Sequence, residues 1–446
     1  MNFFANFFSL RFSNQQILAS SFAGAIIIGA LLLMLPISSA RGESMSFIDA
    51  LFTATSAVCV TGLVVVDTGR YFSLFGQLVV IALIQIGGIG IMTGATLIYM
   101  AMGRRVDLKQ RLVMQESFSH SGTGGTLKLV TSIIKYTLLI EFVGGCLLAI
   151  RFYQDFGLKG IYFGFWHSVS AFCNAGFDLM GGFRSLTGYV SDPTISLVIS
   201  ALIVLGGLGF SVMTDVVNAK SFHRLTFNSK IVISMTILLI VFGAVLIYAL
   251  EKSNLATLGA LDFQGKVLAS IFQSITPRTA GFNTLDLTAL NSSTIFLMIF
   301  LMFIGGSPSS TAGGLKTTTA AVIALSVWSM IRGKSETIIF NRRFDQNIIF
   351  KSYQLFMLLA TGIILATFLL NVFEGDNFLY LFFEVTSAFA TVGLSCGLTS
   401  SFTDHSKIVL IISMFIGRVG PMTLAYALLH KGGQKVRYPE GKATIG

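Results

Sequence analysis

One short phrase recurs four times in this 446-residue chain, and every copy ends on a glycine. The copies are Thr53-Ala-Thr-Ser-Ala-Val-Cys-Val-Thr-Gly62-Leu63, His167-Ser-Val-Ser-Ala-Phe-Cys-Asn-Ala-Gly176-Phe177, Gln273-Ser-Ile-Thr-Pro-Arg-Thr-Ala-Gly281-Phe282 and Glu384-Val-Thr-Ser-Ala-Phe-Ala-Thr-Val-Gly393-Leu394. The glycines are 114, 105 and 112 residues apart, a period that fits a whole helical hairpin and not a surface repeat. Ser56, Ser170 and Ser387 stand six residues before their glycines. The candidate binding atoms are the main chain of Val60-Thr61-Gly62, Asn174-Ala175-Gly176, Thr279-Ala280-Gly281 and Thr391-Val392-Gly393. Glycine tolerates a positive φ and lets backbone approach an ion closely. Four such loops at a common axis would line a cation path with carbonyl oxygens. Close helix packing explains single glycines among the 45 in the chain, but not four aligned copies.

The elements that must hold these loops are apolar. Hydrophobic residues make up 54% of the chain and charged residues 11%, with mean hydropathy +0.79. Soluble domains carry about 25% charge, so a soluble globular domain is excluded. A spanning helix needs about 20 apolar residues, which pairs 16–36 with 73–101, 130–153 with 193–218, 230–250 with 293–331, and 353–373 with 406–430. Between the members of each pair lies an apolar stretch too short to cross, such as Phe47–Ala57 or Leu379–Ala388, with Asp49, Asp376 and Asn377 as helix starters. These read as re-entrant helices that enter from outside and turn back at the glycine. Each would aim its negative C-terminal end at a cation. The first apolar run lacks a small-residue cleavage site, so no cleavable signal peptide is expected.

The charge distribution sets orientation. Of 30 Lys and Arg, 18 fall in 104–135, 220–230, 332–351 and 431–442, and seven, Arg278 among them, in the intervening loops. The positive-inside rule then places both termini in the cytoplasm, and the basic balance needs no nucleic acid. Asp67, Asp178 and Asp286 follow their glycines within five residues, where a negative mouth would concentrate cations. The four cysteines form no disulfide framework or metal-ligand spacing, and Cys59 and Cys173 read as small lining residues. The five histidines are scattered, without HExxH, so an enzyme is the weakest reading.

A second glycine repeat lies deeper: Ile86-Gly-Gly-Ile-Gly90, Leu205-Gly-Gly-Leu-Gly209, Ile304-Gly-Gly-Ser-Pro308 and Ile416-Gly-Arg-Val-Gly420. The first two copies read as packing motifs. The third runs on as Gly305-Gly306-Ser307-Pro308-Ser309-Ser310-Thr311-Ala312-Gly313-Gly314-Leu315-Lys316, which cannot remain helical at mid-membrane. The fourth places Arg418 at a glycine position, far from either surface. An arginine there needs acceptors, and the carbonyls and hydroxyls of 305–316 are the nearest supply. A broken segment held by one cation beneath the loops has the makings of a gate.

At these residues the chain resembles the Trk/Ktr/HKT superfamily of potassium transporters, and most of all the Ktr-type membrane subunit of bacteria. The resemblance is carried by Ile275-Thr-Pro-Arg-Thr-Ala-Gly-Phe-Asn283, by Gly305–Lys316 and by Phe415-Ile-Gly-Arg-Val-Gly-Pro421. It implies an all-α membrane protein with four membrane–pore-helix–membrane repeats, eight transmembrane helices in all, around one pseudo-fourfold pore. The expected units are 1–102, 103–219, 220–332 and 333–446, the last with a cytoplasmic tail. It further implies K⁺ as the transported ion, with Na⁺ as a second ion, and no organic cofactor in this chain. Gly62, Gly176, Gly281 and Gly393 become the filter glycines, 305–316 the gate and Arg418 a barrier residue. Glycine in the first repeat goes with K⁺ preference in this family, and serine with Na⁺. The implied partners are a second copy of the chain, a cytosolic ring of nucleotide-binding regulator subunits and membrane lipid, in a bacterial plasma membrane. An ion-coupled secondary transporter with a midplane cation site is the alternative, although such transporters often have inverted repeats and these four run the same way.

Overall fold

The computed structural model of the chain describes residues 14–90 and 126–428. The expected stretch 91–101, the boundary at 102, the cluster Arg104, Arg105, Lys109 and Arg111, and the tail 431–442 lie outside the described residues. Helices dominate, and four stretches follow a common order of long, short and second helix. The first holds α1 (Asn14–Met34), α2 (Phe47–Val58) and α3 (Leu74–Ile89), and the second α4 (Thr126–Phe156), α5 (Leu158–Phe172), α6 (Pro193–Leu208) and α7 (Phe210–Ala219). The third holds α8 (Phe227–Glu251), α9 (Phe263–Ile275), α10 (Ser292–Phe303) and α11 (Thr317–Ile331). The fourth holds α12 (Gln346–Glu374), α13 (Phe378–Phe389), α14 (Asp404–Val419) and α15 (Pro421–Leu428). The only strands among the described residues are β1 (Ile338–Ile339) and β2 (Arg342–Arg343), an antiparallel hairpin pairing Ile338 with Arg343.

The leading helices α1, α4, α8 and α12 are each long and apolar enough to cross a membrane. Their apolar side chains cover outer faces as well as inner ones. Ile27, Ile28 and Leu31 of α1, Leu138 and Phe142 of α4, and Leu238, Val241 and Phe242 of α8 are all exposed. Water would penalise such surfaces, whereas lipid tails accept them.

The second helices are not the uninterrupted spans expected over 73–101, 193–218 and 406–430. α3 stops at Gly90, α6 and α7 meet at Gly209 with a 98° bend, and α14 stops at Gly420 before Pro421. These three glycines have φ of 91°, 93° and 93°, a conformation strained for any residue with a Cβ. The last glycine of the first, second and fourth deep motifs therefore ends a helix, which a packing role alone did not anticipate. The first glycine of each motif does pack. A Cβ on Gly87, Gly206 or Gly417 would run into the carbonyl of Val58, Phe172 or Phe389, the residue four before a loop glycine.

The short helices α2, α5, α9 and α13 bury their C-terminal halves, with Ala54–Val58 and Phe383–Phe389 wholly enclosed. Their starts differ in part from expectation. Ser46 caps α2 by accepting from the Asp49 amide at 3.2 Å, so Asp49 lies in the first turn. Asn377 caps α13, and Asp376 lies one residue outside it. Asp262 caps α9, while α5 begins at Gly157 without a side-chain cap.

Candidate functional site

The ends of the four short helices bring the loop glycines together. A Cβ built on Gly62 would sit 3.0 Å from the Cα of Gly176, and one on Gly176 2.8 Å from the Cα of Gly281. One on Gly281 would sit 3.3 Å from the Cα of Gly393, and one on Gly393 2.9 Å from the Cα of Gly62. The glycines thus close a ring in chain order, with no room for a side chain at any member.

Hydrogen bonding explains the shape of each loop. In the first, the amides of Val60 and Thr61 donate to the carbonyls of Ala57 and Ser56 at 3.1 and 2.8 Å, and the Gly62 amide to Ser56 Oγ at 3.0 Å. The fourth loop repeats this with Thr391, Val392, Gly393 and Ser387, at 3.1, 2.8 and 3.0 Å. The second keeps the two backbone bonds, from Asn174 and Ala175, while Ser170 Oγ instead donates to the Phe177 carbonyl. In the third, whose phrase is one residue shorter, the helix already ends at Ile275, six residues before Gly281. Pro277 brings no amide, and Ala280 donates to the Thr276 carbonyl.

With the amides turned back to the helix ends, the carbonyls remain. Residues two before the glycines, Val60, Asn174, Thr279 and Thr391, have φ of 56°, 58°, 69° and 51°, and the glycines themselves are positive too. Three of these four are β-branched, for which a positive φ is strained by roughly 1–3 kcal/mol. Positive φ at alternate residues turns successive peptide planes to one side. No carbonyl of 60–62, 174–176, 279–281 or 391–393 accepts a hydrogen bond from a described residue. Buried carbonyls without donors are rare in proteins, and a set of them in a ring suits a cation.

Two cavities flank the loops and share no residue. One, of about 390 Å³, is lined by all four glycines with Asp67, Asp178 and Asp286. Burial and the neighbouring Asp67 push the Asp178 carboxyl up to about 6, so this mouth carries its full negative charge only above that pH. The other, of about 830 Å³, is lined by Pro308, Ser309, Ser310, Ala312, Gly314 and Lys316 with Arg418 and Asp215.

The segment 305–316 leaves the helix at Ile304 and returns beside it. Ile304 and Leu315 form a parallel bridge, with the Gly305 amide 3.0 Å from the Leu315 carbonyl. Its tip is tied to the broken helix of the second stretch. Ser307 and Thr311 donate to the carbonyls of Gly207 and Gly206, and the Phe210 amide to that of Ser309. Gly313 abuts the fourth loop, where a Cβ would collide with Thr391 Oγ1. The Arg418 guanidinium donates to the carbonyls of Thr311 and Gly87, and Lys316 Nζ to that of Ala312 at 2.8 Å. Arg418 therefore joins the segment to α3 as well as to its own helix. The Gly87 contact had no sequence signal.

Other residues fall elsewhere than expected. Cys173 is buried against protein, its thiol 3.4 Å from Gln85 Oε1 and 3.8 Å from Glu141 Oε1, and lines neither cavity. Cys59 is likewise enclosed. Arg278, grouped with the external cations, is buried beside the third loop, with Nη2 3.3 Å from Thr236 Oγ1. Glu251 and Glu384 are fully buried and held by hydroxyls and amides. No local motif marks a buried carboxylate on a short apolar helix, so sequence missed it.

Comparison with known proteins gives this geometry a context. The pattern of a family described as "TrkH: Cation transport protein" matches residues 8–437. The chain is 43% identical over 438 residues to "Ktr system potassium uptake protein B" of Bacillus subtilis, covering 98% of both chains. It is 39% identical to "Potassium/sodium uptake protein NtpJ" of Enterococcus hirae, again over 98% of both. Among solved structures, the potassium transporter TrkH from Vibrio parahaemolyticus superposes with TM-score 0.69 at 19% identity, covering 92% of this chain and 85% of that one. At that identity the likeness speaks for the fold alone.

Proposed function

Because this chain belongs to the TrkH family of cation transport proteins, we propose that it is the membrane subunit of a K⁺ uptake system whose ion passes through the ring of Gly62, Gly176, Gly281 and Gly393. It is a transport protein of a family whose relatives are named as transporters, not enzymes. The observation that carries the proposal is the closed ring of glycines with donor-free carbonyls behind it.

In this reading the filter comprises Val60–Gly62, Asn174–Gly176, Thr279–Gly281 and Thr391–Gly393. Its carbonyls replace part of the ion's hydration shell, and the α2, α5, α9 and α13 ends add negative potential. The acid-lined cavity is the outer mouth, where Asp67, Asp178 and Asp286 gather cations. The larger cavity is the inner one. Between them, Gly305–Lys316 is the gate and Arg418 its fixed positive barrier. Four units, 1–102, 103–219, 220–332 and 333–446, each supply one loop, giving eight membrane passages with both termini cytoplasmic in a bacterial plasma membrane. The relative from Enterococcus hirae is named for potassium and sodium, which supports Na⁺ as a second ion. Relatives named as Ktr system proteins support a multi-subunit assembly, here a homodimer on a cytosolic nucleotide-binding ring. The chain itself has no glycine-rich phosphate loop, so nucleotide control is the partner's.

Uptake of labelled Rb⁺ by vesicles holding the purified chain, with and without Na⁺, tests the function. The expected result is saturable uptake that K⁺ competes away. Absence of Rb⁺ entry alongside uptake of another solute would refute it.

A further inference from the structure

Two of the four loops are held from behind by a side chain at one common register. Nine residues before Gly176 stands His167, and nine before Gly393 stands Glu384. His167 Nδ1 lies 2.7 Å from the Phe163 carbonyl, which can only accept, so this nitrogen carries the hydrogen. Nε2 is then the free lone pair, and it accepts the Leu179 amide at 3.2 Å. Leu179 is the third residue after Gly176. Glu384 Oε1 accepts the amide of Cys396, the third residue after Gly393, at 2.8 Å and the Ser395 hydroxyl at 2.7 Å. Its Oε2 accepts from Thr399 Oγ1 at 2.6 Å. Both side chains are fully buried; Ser395 and Thr399, which Glu384 holds, line the outer cavity, as does Asp178 next to Leu179.

The other two loops have no such bond. Thr53, at the same register before Gly62, donates to the Asp49 carbonyl instead. In the third phrase, one residue shorter, the first position is Gln273, eight before Gly281, whose side-chain oxygen and nitrogen are buried without a partner. Gly176 and Gly393 are opposite members of the ring, since the contacts run 62, 176, 281, 393 and back.

We propose that His167 and Glu384 are positioning residues that fix the outgoing strands of two opposite loops, and so set the width of the carbonyl ring across one diagonal. The proposal rests on the reading of the ring as the ion filter. Discrimination between cations of different size depends on how many carbonyls reach the ion and how firmly they are held. A buried amide that loses its acceptor must find another, and the outgoing strand moves to do so. His167 also touches Phe282, the residue after Gly281, with ring centroids 6.4 Å apart, so its anchor reaches the third loop too.

The test is the ratio of K⁺ to Na⁺ uptake in the full-length chain in vesicles, measured per molecule in the membrane. His167→Phe and Glu384→Leu remove the acceptor and should lower the ratio on the order of tenfold, the scale of one lost buried hydrogen bond. His167→Gln and Glu384→Gln keep an acceptor oxygen and should restore it to within about twofold. Where a disruptive variant does not reach the membrane, His167→Asn and Glu384→Asp shorten the acceptor and should shift the ratio in the same direction. Gly62→Ser serves as the control. A changed ratio there with none in the anchor variants overturns the anchors and leaves the filter standing. An unchanged ratio in all of them overturns the filter itself.

Discussion

Deleting residues 309–312 should raise K⁺ flux through the protein on the order of tenfold and weaken its dependence on a regulatory partner. A tenfold gain corresponds to about 1.4 kcal/mol removed from a barrier. The deletion takes out the tip that meets Gly206 and Phe210 and the Thr311 carbonyl that holds Arg418. It leaves the Ile304–Leu315 bridge at the base of the segment. With the tip gone, the inner cavity would open toward the glycine ring, and Arg418 would keep only the Gly87 carbonyl. Arg418→Gln should act in the same direction and more weakly, because it retains a donor while losing the charge that repels a passing cation. Flux into vesicles at matched protein levels decides the matter. Loss of transport in both variants, with normal insertion, would make the segment a structural support.

Gly62→Ser should reduce the preference for K⁺ over Na⁺ about tenfold, with total cation flux less affected. The backbone at Gly62 has φ 95°, and an added Cβ would press on the carbonyl oxygen of Ala175 in the next loop. The strain is relieved only by moving the first or the second loop outward. Either movement withdraws a carbonyl from the ion, and the loss is greater for the ion that the ring fits best. The serine hydroxyl can also coordinate, which favours the smaller and more strongly hydrated Na⁺. Competition of Na⁺ against labelled Rb⁺ measures the shift. An unchanged ratio would remove Gly62 from the site.

How much of this was legible from sequence depends on whether the information is local. The loop glycines could be aligned because each unit spells its own phrase, and Ser56 and Ser387 could be aligned six residues upstream. The break over 305–316 was equally plain, since two Gly-Gly pairs and Pro308 leave no continuous helix. Arg418 advertised a need for acceptors, and one of them, the Thr311 carbonyl, lies in the expected segment. The other, at Gly87, is 331 residues away in the chain and had no signature.

The helix ends at Gly90, Gly209 and Gly420 were misjudged for a different reason. Glycine inside an apolar helix is ambiguous between close packing and a stop, and here adjacent glycines do both. Gly87, Gly206 and Gly417 pack, and the glycines three residues on turn the chain. In the sequence His167 is one of five scattered histidines, and Glu384 is marked only as the first residue of its phrase. Only the fold shows that each faces the amide twelve residues later.

The central claim is that a cation sits among the carbonyls of four loops. Diffraction from crystals grown in Rb⁺, with the anomalous signal recorded at the rubidium edge, locates the ion directly. The account predicts a peak on the axis of Gly62, Gly176, Gly281 and Gly393, within coordination distance of carbonyls from all four loops. A peak confined to a midplane pocket between helices, with none in the ring, would contradict it.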